Sequence, residues 1–407
     1  MLERPFRVLA IATHPVQYGV PLFRRMAQLP ELDFHVAYCS LSGAEPAHDA
    51  EFGATVQWDI PLLDGYNWVQ LPNRGSGDQS FLGFRNPGLW KLIREGHFDA
   101  ILCYVGYLRA SFWIAFFAAR RSGAAFLFGT DATTLEPRDA RAWKRTVKKI
   151  LWPRLFRLAD QVLALSPAGV DLMRSLSIPA DRISLTPFAV DNDWWTAQSA
   201  LVDRQAVRNS WDVSERDLAV LFCAKLQPWK RPSDLLRAFA SANVSNSVLI
   251  FAGEGSLRPQ LEAESAALGV RDRVRFLGFV NQSQLPAIYT SADLFVLPSD
   301  YDPCPVVVCE AMLCGRPVLL SDRIRGRFDL VRPGITGDIF PCADVAALAA
   351  ALRKVLGDRS HLAVLSENAR ERMTTFSPHE NVTAALDAIA RAVRHRNPAG
   401  FSRKELP

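Results

Sequence analysis

The sequence predicts an α/β fold of two doubly wound domains, each a parallel sheet with helices on both faces. Three observations lead to it. The chain has 407 residues, too many for one ordinary core and suited to two of roughly 150 to 200 residues each. Short apolar runs alternate with stretches of helical period over 6–191, and the alternation starts afresh at Leu218, the pattern of strand, crossover helix and parallel strand. Apolar residues make up 49% of the chain, enough to fill two cores of that size.

The first array opens on strand 6–13. Arg4 and Arg7 ahead of an apolar run resemble a secretory leader, but 8–12 is shorter than a leader needs and ends in His14-Pro15, not in a small-residue cleavage site. Helix 21–29 and strand 33–40 follow. The Gly-, Pro- and Asp-rich region 42–87 holds one or two short strands, of which 56–60 is the best. Next come strand 100–104, helix 108–121, strand 125–128, helix 138–158 interrupted at Pro153, and strand 161–165. A further helix starts at Pro167, in the first helical position after a Ser166 cap. The polar segment 192–215 reads as a linker plus a leading helix. The second array has strands 218–224, 247–252, 274–277, 294–297 and 317–320 with helices between them, and the chain's last helix covers about 378–394. The expected domains are 1–195 and 196–377.

Composition narrows the function. The formal net charge is +5 and no Lys/Arg tract is interleaved with aromatics, so no nucleic-acid partner is expected. The seven cysteines are odd in number and form no C-x-x-C pair, which fits a reducing, cytoplasmic setting rather than a disulfide framework. Cys304, Cys309 and Cys314 are evenly spaced, but no His accompanies them and no metal site is expected. The longest apolar run, 110–119, is about half of a bilayer span and is closed by Arg120-Arg121. No G-x-G-x-x-G follows either first strand, which argues against an NAD-dependent oxidoreductase.

The residues that carry chemistry fall at the carboxyl ends of the second array's strands, where such sheets bind ligands. The stretch 292–322 reads strand, Pro-rich loop, helix, strand, with Asp302 and Glu310 on either side of the helix start and seven residues between them. Pro303 and Pro305 keep the loop open until about Val306 or Val307, and Gly315 with Pro317 stops the helix. Free N–H groups at the helix start can then hold a phosphate without a metal. After strand 218–224, Lys225 and Lys230 place two cations ahead of a helix opening near Pro232, an arrangement for an anion or simply two solvated lysines. By themselves Gly253-Glu254-Gly255 read as a turn ending the next strand, and Phe279 as core packing.

The stretch 292–322 resembles the E-x7-E signature of the retaining, nucleotide-sugar-dependent glycosyltransferases of family 4, the glycosyl transferases group 1, which have the GT-B fold: two Rossmann-like domains facing a cleft, with a C-terminal helix that crosses back onto the first. The resemblance covers 218–344 densely. It implies Glu310 on the donor ribose, Asp302 near the donor sugar, the Val306 and Val307 amides on the diphosphate with Cys304 in the loop ahead of them, and Lys225 and Lys230 on the same diphosphate. It also implies that Gly253 lets the nucleotide come close and that Phe279 and Val280 face the base through their backbone. Two departures stand out. Asp302 is one methylene shorter than the usual Glu, and Lys225 replaces an Arg, which loses bidentate contact but keeps the charge.

In the first domain the resemblance is thinner. His14, Tyr18 and Gly19 lie where family members have a loop facing the cleft, and are acceptor-side candidates, with capping or core roles as the alternative. Some members carry a functional His near the position of Gly129; here the nearest proton acceptor is Asp131, which is otherwise a turn cap. The resemblance implies a hexosyltransferase that moves a sugar from a nucleotide sugar to a hydroxyl on a glycan, lipid-linked or small-molecule acceptor, with no metal or other cofactor. The leaving phosphate would take the acceptor's proton on the same face. A binding protein without turnover is the alternative, separated by assaying hydrolysis or transfer from a panel of nucleotide sugars. Over 138–157, eight Lys/Arg against one Asp surround Trp143, Trp152 and Phe156, either a surface for anionic membrane on its cytoplasmic face or a solvated basic face with its aromatics in the core.

Overall fold

The two alternating arrays become two separate sheets in the computed structural model, which describes residues 4–49, 52–137, 141–302 and 306–397. Its strands are β1 (Phe6–Ala12), β2 (Leu32–Tyr38), β3 (Ala47–Asp49), β4 (Ala54–Val56), β5 (Asn67–Gln70), β6 (Ala100–Cys103), β7 (Ala125–Thr130), β8 (Gln161–Ala164), β9 (Ile183–Leu185), β10 (Leu218–Cys223), β11 (Ser247–Ala252), β12 (Val274–Gly278), β13 (Leu294–Leu297), β14 (Val318–Ser321) and β15 (Gly337–Phe340). The chain divides into two compact units, one holding 4–46, 61–188 and 378–397, the other 47–60 and 189–377.

In the first unit seven parallel strands run in the order β5-β2-β1-β6-β7-β8-β9. The period of two along each strand sorts side chains to opposite faces. Leu9, Ile11, Ile101, Cys103, Phe126 and Phe128 join one buried cluster, while Val8, Ala10, Ala100, Leu102, Ala125 and Leu127 join another. Helices Gly88–Glu95 and Ala110–Ser122 close the first cluster, and helix Val20–Ala27 helps to close the second. The other cover on that second face is the last helix, Pro378–Arg396, through Val382, Ala385, Ala388, Ile389, Ala392 and Val393, which share one helical face. The expected return of this helix to the first domain is therefore observed.

The second unit has six parallel strands in the order β12-β11-β10-β13-β14-β15. Its central strands are buried on both faces, so β10 (LAVLFC) and β11 (SVLIFA) read as unbroken apolar runs rather than alternating ones.

Several elements differ from expectation. The edge strands β9 and β15 were not expected, being three and four residues long, too short for periodicity to mark them. Instead of a strand at 56–60, β3 and β4 pair antiparallel, and 47–60 packs with the second unit although it lies in the first half of the chain. Helix Ala142–Phe156 runs through Pro153; one lost N–H is outweighed where Trp152, Leu155 and Phe156 bury beside it. Segment 192–215 forms two helices, Asn192–Ala200 and Arg204–Ser210, whose N-termini are capped by Asp191 and Asp203.

Candidate functional site

The carboxyl edge of the second sheet is built around the turn that leaves β10. Backbone bonds tie this turn to its neighbours: Leu226 N–H donates to Glu254 O (2.8 Å), Leu257 N–H to Leu226 O (3.1 Å) and Gly253 N–H to Gly278 O (2.8 Å). Gly253 and Gly255 have φ of +147° and +155°, a region that side chains avoid. A Cβ at either would collide with the carbonyl oxygen of Ala224 or of Leu226. The space expected to admit a nucleotide at Gly253 is, on that side of the turn, filled by the chain's own backbone. The glycines let two loops touch, and that contact fixes where Lys225 emerges.

Lys225 Nζ lies 2.9 Å from Asp49 Oδ2 and 4.5 Å from the centre of the Phe52 ring. Lys230, closing the short helical turn Pro228–Lys230, places Nζ 2.8 Å from Asp302 Oδ2. Because β13 lies beside β10 in the sheet, the loops after both strands share this edge, and Asp300 N–H donates to Trp229 O at 2.8 Å. Asp302 is in turn held from the β14 side, its carbonyl accepting from Arg325 N–H at 3.0 Å. Lys230 and Asp302, identified separately in the sequence, are thus one half-buried ion pair. Phe279 is half-buried rather than deep in the core, packed edge-on against Phe52 at 5.1 Å and beside Trp58 at 6.2 Å. Val280 follows it, also half-buried.

Glu310 sits in helix Val306–Leu313. The helix ends as expected: Gly315, at φ +72°, donates to Met312 O (2.9 Å) and Arg316 N–H to Ala311 O (2.8 Å), the paired bonds of a left-handed glycine cap. Val306 and Val307 open the helix, half-buried; Cys304 lies outside the described residues. The Glu310 carboxylate is buried and accepts from Tyr289 Oη at 3.0 Å, with the Gln282 side chain as a second partner. Burial pushes its pKa up to about 7, against the pull of those two hydrogen bonds. Tyr289 also bonds Cys223 at the end of β10. Cys309 and Cys314 are buried free thiols, and burial pushes Cys314 up to about 12. Among the described residues no three His, Cys, Asp or Glu side chains come together as a metal site.

The carboxyl edge of the first sheet holds the other candidates. His14 follows β1, half-buried, and desolvation lowers its pKa, so its ring is neutral near pH 7. The Tyr18 ring lies 5.8 Å from that of Phe188. Gly19 caps helix Val20–Ala27 with ordinary helical φ of −88°, and a Cβ there would stand 3.0 Å from Val16 Cγ2. Asp131 follows β7 and is exposed, and Gly129 lies under the Tyr104 ring, 2.5 Å from where a Cβ would stand. A side chain at 129 would require the Tyr104 ring to move.

Helix Ala142–Phe156 answers the question its composition raised by dividing along its length. Trp152 and Phe156 are core residues, 6% and 1% exposed, whereas Trp143, Val147, Ile150 and Leu151 are 41 to 60% exposed. Those four share one helical face, with Lys144, Arg145, Lys148 and Lys149 between them. Among the described residues no helix is long and apolar enough to cross a membrane.

Sequence reasoning missed Asp49, Phe52 and Trp58, which lie far from Lys225 and Phe279 in the chain, and Tyr289 and Gln282, none of them marked by a local motif.

Comparison with known proteins agrees with this architecture. A family model for glycosyl transferases group 1 matches 203–372, and one for a glycosyl transferase 4-like domain matches 21–189. The D-inositol 3-phosphate glycosyltransferase of Salinispora tropica is 34% identical over 240 residues, 56% of this chain and 46% of that one. The D-inositol 3-phosphate glycosyltransferase 2 of Catenulispora acidiphila is 29% identical over 428 residues, covering 96% of each. The chain spans about half the length of several curated relatives it matches, 45 to 52% of each. The crystal structure of Anabaena HepE in complex with UDP and glucose superposes with a TM-score of 0.72 at 18% identity, covering 95% of this chain and 99% of that one.

Proposed function

The chain belongs to the glycosyl transferases of group 1, and from that premise we propose that it moves a hexose from a nucleoside-diphosphate sugar to a hydroxyl acceptor, with retention and without a metal. One observation carries the reading: Lys225, Lys230 and Asp302 all lie in the loops that leave the carboxyl ends of β10 and β13, with Lys230 paired to Asp302, where a parallel sheet presents a ligand. Two lysines in a half-buried setting stabilise charge that grows on a leaving diphosphate. Glu310, already bonded to Tyr289, takes the ribose hydroxyls when ionised. Asp302 orients the sugar from its pairing with Lys230.

In the proposed step the bond between C1 of the sugar and the diphosphate oxygen breaks, and its electron pair leaves with the diphosphate. The acceptor oxygen bonds to C1 on the same face. Its proton passes to the departing phosphate oxygen, so no protein base is consumed. His14, Tyr18 and Asp131 are the candidates for acceptor contact. UDP is the first base to try, because Anabaena HepE has been crystallised with UDP and glucose. We further propose that the protein works in the cytoplasm, held on anionic membrane through the exposed face of helix Ala142–Phe156, where basic side chains flank Trp143 and Ile150.

The test is a thermal-shift screen against UDP, GDP, ADP and their sugars, followed by transfer assays with the best donor. Stabilisation by one nucleoside diphosphate, lost in Lys230→Ala, supports the reading. Full transfer activity in Lys230→Ala would sink it.

A further inference from the structure

The pair β3–β4 reaches the proposed donor site from a distant part of the sequence, and it is fastened there. Asp59 accepts from Ser283 N–H at 2.9 Å and from the Ser283 hydroxyl, while Asn281 Nδ2 donates to Gln57 O at 2.8 Å. Phe52 and Trp58 pack on Phe279. These contacts deliver Asp49 to Lys225, where its two oxygens lie 3.1 and 2.9 Å from Nζ. Asp49 Oδ1 also accepts from Phe52 N–H at 3.0 Å, which fixes the carboxylate in place. Neither partner is fully in water, the side chains being 25% and 32% exposed.

A carboxylate and a phosphate both bonded to one ammonium repel each other. We propose that Asp49 is a specificity-determining residue for the donor: it holds Lys225 until a diphosphate takes its place, so ligands without charge at that point gain nothing from the lysine. The inference rests on the reading of Lys225 as a diphosphate contact. Each diphosphate that binds exchanges one anion for another, and Asp49 sets the threshold for that exchange. Nothing about Phe52 or Trp58 has to change, since their hold on Phe279 is independent of the charge on Asp49.

Isothermal titration of Asp49→Asn against wild type tests this, using the nucleoside diphosphate that binds best in the screen and the corresponding uncharged nucleoside. Asn keeps the acceptor for Phe52 N–H, so the turn should hold its shape. Expected is a diphosphate affinity about 2- to 5-fold tighter than wild type, the scale of one partly exposed ion pair, with nucleoside affinity unchanged. An unchanged or weaker diphosphate affinity overturns the inference, as does equal tightening of the nucleoside. If Lys230→Ala removes diphosphate binding while Asp49→Asn leaves it unaltered, the donor site stands and only the role of Asp49 falls. If neither substitution alters diphosphate binding, both fall.

Discussion

The carboxyl edges of the two sheets are alike in architecture and differ in how charge is arranged on them. On the second sheet, Lys225 faces Asp49, Lys230 faces Asp302, and Arg231 pairs with Asp234 at 2.6 Å and Asp300 at 3.3 Å. On the first, His14 and Tyr18 come from the loop after β1 and Asp131 from the loop after β7, His14 partly withdrawn from water and Asp131 exposed. A charged ligand part of constant geometry, such as a diphosphate, rewards groups that are already fixed. A variable hydroxyl acceptor asks for no such set. The difference fits the proposed function, in which the second unit would hold the diphosphate and the first would meet the acceptor.

The largest effect expected from breaking this contrast is at Lys230. Lys230→Ala should lower turnover about 100- to 1000-fold, as loss of one stabilising group at a developing charge does, and steady-state kinetics with the best donor would measure it. At Glu310, a folded-state pKa of about 7 against an ordinary 4.5 means that the folded protein binds the extra proton between those values. Stability is then greatest below pH 4.5 for this group and falls as pH rises through 7, by about 3 kcal/mol. Glu310→Gln should flatten that slope in urea titrations run from pH 4.5 to 7.5, and should weaken nucleotide binding.

On the first unit, converting Lys144 and Lys149 to Gln should reduce affinity for anionic vesicles by about 2 kcal/mol, at about 1 kcal/mol per basic residue. Sedimentation with anionic and zwitterionic vesicles would detect it, and an equal loss on both would remove the electrostatic half of the membrane proposal. The smallest effect is at His14. His14→Gln should raise KM for the acceptor about 10-fold or less and leave donor KM unaltered, so a change confined to the donor would transfer His14 to the other side of the comparison.

The same contrast governed what could be read in advance. Fully buried strands such as β10 and β11 announce themselves as apolar runs, and the cap of helix Val306–Leu313 is written in Gly315 and Pro317. Lys225, Lys230, Asp302 and Glu310 were legible because each lies at a strand end or helix start within one local motif. Asp49 and Trp58 were not, since only tertiary packing brings β3 and β4 to Lys225 and Phe279. Short edge strands escaped for the opposite reason: β9 and β15 carry too few residues for any period to show. Helix Ala142–Phe156 was ambiguous because its composition is uniform while its surroundings are not, its last turn being in the core and its first turns in water.

The final helix carries a consequence for biosynthesis. Val382, Ala385 and Ile389 share a buried cluster with Ala125, Leu127 and Leu163 of β7 and β8, so one side of the first sheet stays partly bare until the segment from Pro378 has been synthesised. The middle of the chain can mature while its beginning still waits with sticky surface bare. A stop introduced shortly before Pro378 should therefore yield a product that clumps.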